Sequence, residues 1–157
     1  MPKRILLIAG NIGACEAAGA VGSVFTGASL PTWYRKLKKP SFQPPGWVFG
    51  PVWTILYALM GTAASIIESK KKPDNRPSLL AFCAQLLLNV LWTYLFFGRR
   101  SPLAGCIELI ALWAAIALTI ALFWKLSKPA ALLLAPYLLW VTFAAALNLS
   151  IWRLNRK

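Results

Sequence analysis

The chain has 157 residues, 59% of them hydrophobic, and a mean hydropathy of +0.62, a balance that excludes an ordinary soluble domain of this length. With 17 Lys and Arg against 4 Asp and Glu, the net charge is +13. The cations cluster between apolar runs, at Lys3 and Arg4, Arg35 to Lys39, Lys70 to Arg76, Arg99 and Arg100, Lys125 and Lys128, and Arg153 to Lys157. That placement suits lipid phosphates and argues against nucleic acid, because no basic helix face or nucleic-acid module accompanies it.

A bilayer core of about 30 Å needs roughly 20 apolar residues of helix, since backbone amides cannot stay unpaired in lipid. Five segments qualify, at about 5–25, 48–67, 79–97, 103–124 and 130–152. The expected fold is therefore all-α, a five-transmembrane-helix bundle within a multi-pass integral membrane protein. Lys3 and Arg4 ahead of small residues at Gly13 to Cys15 resemble a signal or lipoprotein cleavage site, but the apolar run continues to Phe25, so the span is expected to be retained. Lys and Arg divide almost evenly between the two sides, which leaves the orientation unset.

In the first span Ala14, Ala18 and Gly22 repeat every four residues, a small-residue seam suited to packing within the bundle or to a homodimer. Glu16 shares a face with Gly13, Gly19, Ala20 and Ser23. Glu108, in the fourth span, shares one with Ala104, Gly105, Ala111 and Ala115. A carboxylate inside a span raises the hypothesis of ion-coupled transport, while small neighbours fit an acid packed within protein.

The first connection, from Thr26 to Trp47, is long and ends in Pro44-Pro45-Gly46-Trp47, a run that favours stiff, extended backbone. Such a loop suits a lid or binding loop better than a spacer. The remaining connections are short and imply antiparallel neighbours.

Eight tryptophans are present. Trp47, Trp124 and Trp152 sit at span ends, where indoles form interfacial belts. Trp53, Trp92 and Trp140 lie inside spans, where each N–H needs a partner; core packing and ligand contact both account for them. Gly50, Trp53, Tyr57 and Gly61 share one face of the second span; Gln85, Asn89 and Trp92 one face of the third; Pro136, Trp140, Ala144 and Leu147 one face of the fifth. If these stripes converge, they enclose an apolar cavity with a few polar groups, a site for a flat hydrophobic molecule.

Cys15, Cys83 and Cys106 all lie in apolar runs, without C-x-x-C spacing, and the chain has no histidine. No His-ligated metal or cofactor site is expected, and general-base hydrolysis lacks its usual residue.

The run Trp33-Tyr34-x-x-Leu37-x-Lys39-Pro40-Ser41-Phe42-x-Pro44-Pro45-x-Trp47, followed by Pro51-x-Trp53-x-x-Leu56-Tyr57, resembles the signature of the TspO/translocator protein family. Gln85-Leu86-x-Leu88-Asn89-x-x-Trp92, Phe96-Phe97-Gly98 and the stretch from Pro136 to Arg153 extend the likeness over essentially the whole chain. The resemblance implies a membrane receptor or carrier, commonly homodimeric, that takes porphyrins, haem, sterols or synthetic drugs in a cavity covered by the first loop. By position, the pocket it implies is lined by Tyr34, Pro44, Phe49, Trp53, Tyr57, Asn89, Trp92, Trp140, Phe143 and Ala144, with Trp53 and Trp140 as leading indole contacts. It also implies a second activity, light- and oxygen-dependent porphyrin degradation through Trp53 and Trp140, which needs an oxidisable indole and no acid or base. Two positions depart from the family pattern. Phe42 stands where the family has Trp, losing an N–H donor. The sterol-recognition pattern before Arg153 lacks its Tyr, the sequence there being Asn148-Leu149-Ser150-Ile151-Trp152, which weakens any sterol expectation.

Overall fold

The computed structural model describes residues 2–70 and 75–156; Lys71 and Lys72 of the third basic cluster and Lys157 lie outside the described residues. Among these there is no strand. The helices are α1 (Pro2–Ser29), α2 (Gly46–Glu68), α3 (Asn75–Thr93), α4 (Pro102–Leu126), α5 (Lys128–Leu133) and α6 (Ala135–Asn155). Five continuous helical stretches are long and apolar enough to cross a membrane: Lys3–Tyr34, Gly46–Glu68, Asn75–Gly98, Pro102–Leu126 and Lys128–Asn155. The last combines α5 and α6. Pro136 follows the break at Leu134 and cannot donate to the helical ladder, so the chain bends there. Ser101 starts α4: its Oγ accepts the Ala104 N–H at 3.3 Å, and Pro102 occupies the first turn.

Two spans end in a wide π-helical turn, Leu30–Tyr34 after α1 and Tyr94–Gly98 after α3. At the first, Pro31 removes a backbone donor, and the Thr32 hydroxyl donates to the carbonyls of Ala28 and Ser29 at 3.1 and 3.3 Å. Helix consequently runs well beyond Phe25. The first connection is shorter than the sequence suggests, and Trp33 and Tyr34 belong to the first span instead of the loop. The second wide turn closes with the Arg99 N–H donating to the Tyr94 carbonyl at 2.7 Å. It turns two consecutive side chains, Phe96 and Phe97, into the protein. Tyr34 packs against both, at ring separations of 6.1 and 5.4 Å.

The helices form a ring in the order α1, α2, fifth span, α4, α3. A large apolar core built on Leu56, Met60, Ile67, Leu112, Phe123 and Val141 fills one end. A smaller aromatic cluster of Tyr34, Phe96, Phe97, Leu147 and Ile151 lies at the end nearer the first loop.

The closest approach of α1 and α2 is at Gly61. A Cβ there would meet the Ile12 backbone at 2.5 Å, so only glycine allows this crossing. The same end is tied by polar contacts. Asn11 Nδ2 donates to Glu68 Oε2 at 2.9 Å, and the Ser65 hydroxyl reaches the Leu7 carbonyl at 3.4 Å. The small-residue seam of α1 divides: Gly22 is buried against Thr93 of α3, whereas Ala14 is exposed. Gly61→Ala should therefore lower the thermal midpoint in detergent by an amount matching about 1–3 kcal/mol of overpacking. Gly10→Ala, whose Cβ would meet nothing within 4 Å, should leave the midpoint at or above the parent value. Circular dichroism melts compare the two, and a Gly61→Ala midpoint equal to the parent's would contradict this packing.

Candidate functional site

A cavity of about 480 Å³ opens between the two cores, at the end of the bundle nearer the first loop. Its volume falls within the usual range for small-molecule sites, about 300–1,000 Å³. Here α2 and α6 scarcely touch, and aromatic side chains border the space between them.

From α2, Phe49, Trp53 and Tyr57 face the cavity at the steps expected of one helix face. Asn89 and Trp92 of α3 and Trp140 and Ala144 of α6 line it too, and Tyr34 enters from the wide turn after α1. Eight of the ten positions implied by the resemblance are thus brought together: Tyr34, Phe49, Trp53, Tyr57, Asn89, Trp92, Trp140 and Ala144. Pro44 and Phe143 are not on the lining. Phe143 stands beside Trp140, ring to ring at 5.4 Å, and Phe42 of the loop packs on it at 6.3 Å.

The indoles are held by neighbours. Trp53 stacks on Tyr57 at 5.5 Å and meets Tyr137 edge-on at 6.2 Å. Trp140 meets Phe49 edge-on at 5.8 Å. Trp92 stacks on Phe96 at 5.8 Å. The Tyr57 hydroxyl donates to Asn89 Oδ1 at 2.7 Å, which fixes the amide and leaves its Nδ2 without a hydrogen-bond partner among the described residues. Trp92 Nε1 and Asn148 Oδ1 are likewise unpartnered, and both residues line the cavity. All three atoms are buried beneath the cavity wall, where polar atoms left unmatched are costly.

Several lining residues were not picked out as pocket positions by the sequence. Gly19, Ala20, Gly22 and Ser23 of α1 border the cavity, as do Thr93, Phe96 and Phe97 on the α3 side and Asn148 and Ile151 on α6; Leu147, of the stripe expected on the fifth span, lines it as well. The small residues of α1 read equally well as packing, and the inward turn of Phe96 and Phe97 depends on a π-helical turn that no periodicity announces. Glu16 lines the cavity, the one Asp, Glu, Lys or Arg to do so among the described residues. Glu108 does not reach the lining: it is 5% exposed, and neither carboxyl oxygen has a hydrogen-bond partner among the described residues. The two acids therefore do not share one chamber. Gln85, on the same face as Asn89, is buried below the lining.

The first loop lies over this end of the bundle. The Lys38 N–H donates to Asn155 Oδ1 at 2.9 Å, and Asn155 Nδ2 donates to the Lys38 carbonyl at 2.8 Å, which pins the loop to the end of α6. The Lys39 ammonium sits 4.7 Å from the Tyr34 ring centre, and Gln43 and Gly46 contribute to the lining. Of the other indoles, exposed Trp47 and Trp124 stand at span ends, and Trp113 Nε1 donates to Thr142 Oγ1 at 2.9 Å.

Residues 11–153 match the sequence profile of the TspO/MBR family. The chain is 47% identical to the tryptophan-rich protein TspO of Chlorobaculum tepidum, over 99% of both chains. It is 42% identical to protein CrtK of Rhodobacter capsulatus, over 90% of this chain and 88% of that one. It is 36% identical to the human translocator protein, over 86% of this chain and 82% of that one. With its five membrane-crossing helices and with likeness running through every span, the chain belongs to the TspO/MBR family.

Proposed function

We propose that the protein is a membrane receptor or carrier for a flat tetrapyrrole of the porphyrin or haem type, with a sensory or translocating role. The observation that carries this reading is the convergence of Trp53, Trp92 and Trp140 on one cavity. Indole faces provide broad contact for a conjugated ring. The names borne by the relatives, tryptophan-rich sensory protein and translocator protein, support the same role.

The electrostatics suggest how such a ligand would lie. The lining carries one carboxyl group, Glu16, and no Lys or Arg. Anionic propionates would be repelled within and would find cations only at the rim, where Arg35 and Lys39 flank Tyr34. The ring would enter the aromatic cavity with its acid edge toward the first loop, which acts as lid. Charge reversal at Lys39 (Lys39→Glu) should therefore weaken protoporphyrin more than its uncharged dimethyl ester. The expected gap is about 3- to 10-fold at low salt, narrowing as ionic strength rises and screens the exposed pair. Titration of both ligands in nanodiscs reads this, and an equal loss for acid and ester would contradict the proposed orientation.

The pocket assignment is tested by tryptophan quenching on titration with protoporphyrin in the dark. Two aromatic contacts at about 0.5–1.5 kcal/mol each predict that Trp53→Leu with Trp140→Leu weakens binding roughly tenfold or more. The melting midpoint serves as fold control. Unchanged affinity in a folded double variant would place the site elsewhere.

A second reading is favoured by the indoles themselves. Trp53 and Trp140 border the same cavity, where a photoexcited ring held between them could take an electron from an indole; dioxygen, the oxidant, would add to the ring radical, the electron would return to the indole radical, and both oxygen atoms would end in the ring-opened product. Porphyrin absorbance would then fall under illumination, faster with the parent than with the double variant and not at all without oxygen. Equal loss in both proteins would exclude this activity.

A further inference from the structure

The cavity is not walled on every side. At its inner end α1 and α2 are closed together by the Gly61–Ile12 crossing and by Gly19, which packs directly on the Tyr57 ring. Towards the first loop the facing side chains become small. Gly46, Gly50 and Thr54 follow at four-residue steps on α2, and Ala20 and Ser23 border the cavity from α1. All five line the cavity and all five are exposed, whereas no lining residue of α3 or α6 is exposed. A residue that does both stands on a rim.

A Cβ at Gly46, the first residue of α2, or at Gly50 would meet nothing within 4 Å. Gly50 lies inside the helix, where glycine costs about 0.5–1 kcal/mol relative to alanine, and no close packing requires it. Gly50 lies about 16 Å along α2 from Gly61, at the helical rise of about 1.5 Å per residue. Both flanking helices are membrane-crossing stretches; Gly46 stands at the span end beside interfacial Trp47, and Gly50 and Thr54 lie about one and two turns further in. The loop side, by contrast, is fastened by the paired Lys38–Asn155 hydrogen bonds and by Phe42 on Phe143.

We propose that the cleft between α1 and α2 is a lateral portal, through which a flat ligand dissolved in the bilayer passes directly between the acyl-chain phase and the cavity. The portal rests on the ligand reading above for its cargo, and on the rim residues for its position. A molecule that partitions into lipid would meet this opening without displacing the loop.

The experiment compares two ways of blocking access, with protoporphyrin delivered from the bilayer of a nanodisc in the dark. Gly50→Leu places a branched side chain across the cleft. Lys38→Cys with Asn155→Cys, oxidised, fastens the loop to α6; the reduced form and an oxidant-treated parent are the controls. A gate acts on passage in both directions, so Gly50→Leu should slow association and dissociation together, each by about tenfold or more, while the oxidised loop keeps both rates within about twofold. Blocked association in the oxidised protein, with Gly50→Leu binding at the parent rate, would overturn the portal. A Gly50→Leu protein that loses association rate but dissociates no more slowly would do the same, since that pattern marks lost contacts.

Failure of the porphyrin reading is separable. If the parent binds no protoporphyrin, the portal is judged with phospholipids brominated at mid-chain. An open cleft predicts that they quench the share of fluorescence that Trp53→Phe removes, and that Gly50→Leu protects it. A Trp53 share that is equally insensitive in both proteins would overturn the portal.

Discussion

The close crossing of α1 and α2 at Gly61 governs much of this molecule. Backbone against backbone at Ile12 brings the two helices together at one end, and the Asn11–Glu68 and Ser65–Leu7 contacts hold that end closed. In lipid there is no hydrophobic gain in bringing two apolar helices together, so close packing and interhelical hydrogen bonds must supply the association. From that fixed crossing the two helices lead toward the first loop with a cavity between them and the rest of the ring. A bulkier residue at Gly61 would change the geometry of everything beyond it.

The second constraint is the need to match polar groups inside an aromatic shell. Tyr57 and Asn89 join across α2 and α3, and the amide nitrogen of Asn89 stays buried without a partner among the described residues. Trp92 is held by stacking on Phe96, and its buried N–H likewise finds no acceptor among them. Unpaired groups of this kind cost stability. The indoles themselves are held by ring contacts, so the aromatic wall stands formed before any occupant arrives.

Much of this was legible in the sequence, for reasons particular residues make plain. Apolar runs of membrane length announced the five spans, since the bilayer allows few alternatives. The facing of Trp53, Tyr57, Asn89, Trp92, Trp140 and Ala144 followed from helical periodicity, because all six sit in regular helix. Where the backbone departs from that period, the sequence was a poorer guide. The first span continues through Pro31 because a wide turn and the Thr32 hydroxyl absorb the missing donor, so Trp33 and Tyr34 are helical although the prolines nearby suggested a loop. Phe96 and Phe97 both turn inward for a like reason. The separation of Glu16 from Glu108 was also hidden, because two acids on small-residue faces look alike until the ring of helices places one on the cavity and the other behind it. Gly46 and Gly50 are the reverse case: nothing in their spacing distinguishes a glycine needed for packing from one that keeps a cleft clear.

The most direct measurement is a structure of the protein with protoporphyrin, determined in the dark in a lipid bilayer. The expected result is the ring between Trp53 and Trp140, with its propionates toward Lys39. Ring density on the outer surface of the bundle, with the side chains around the cavity closed on one another, would contradict it.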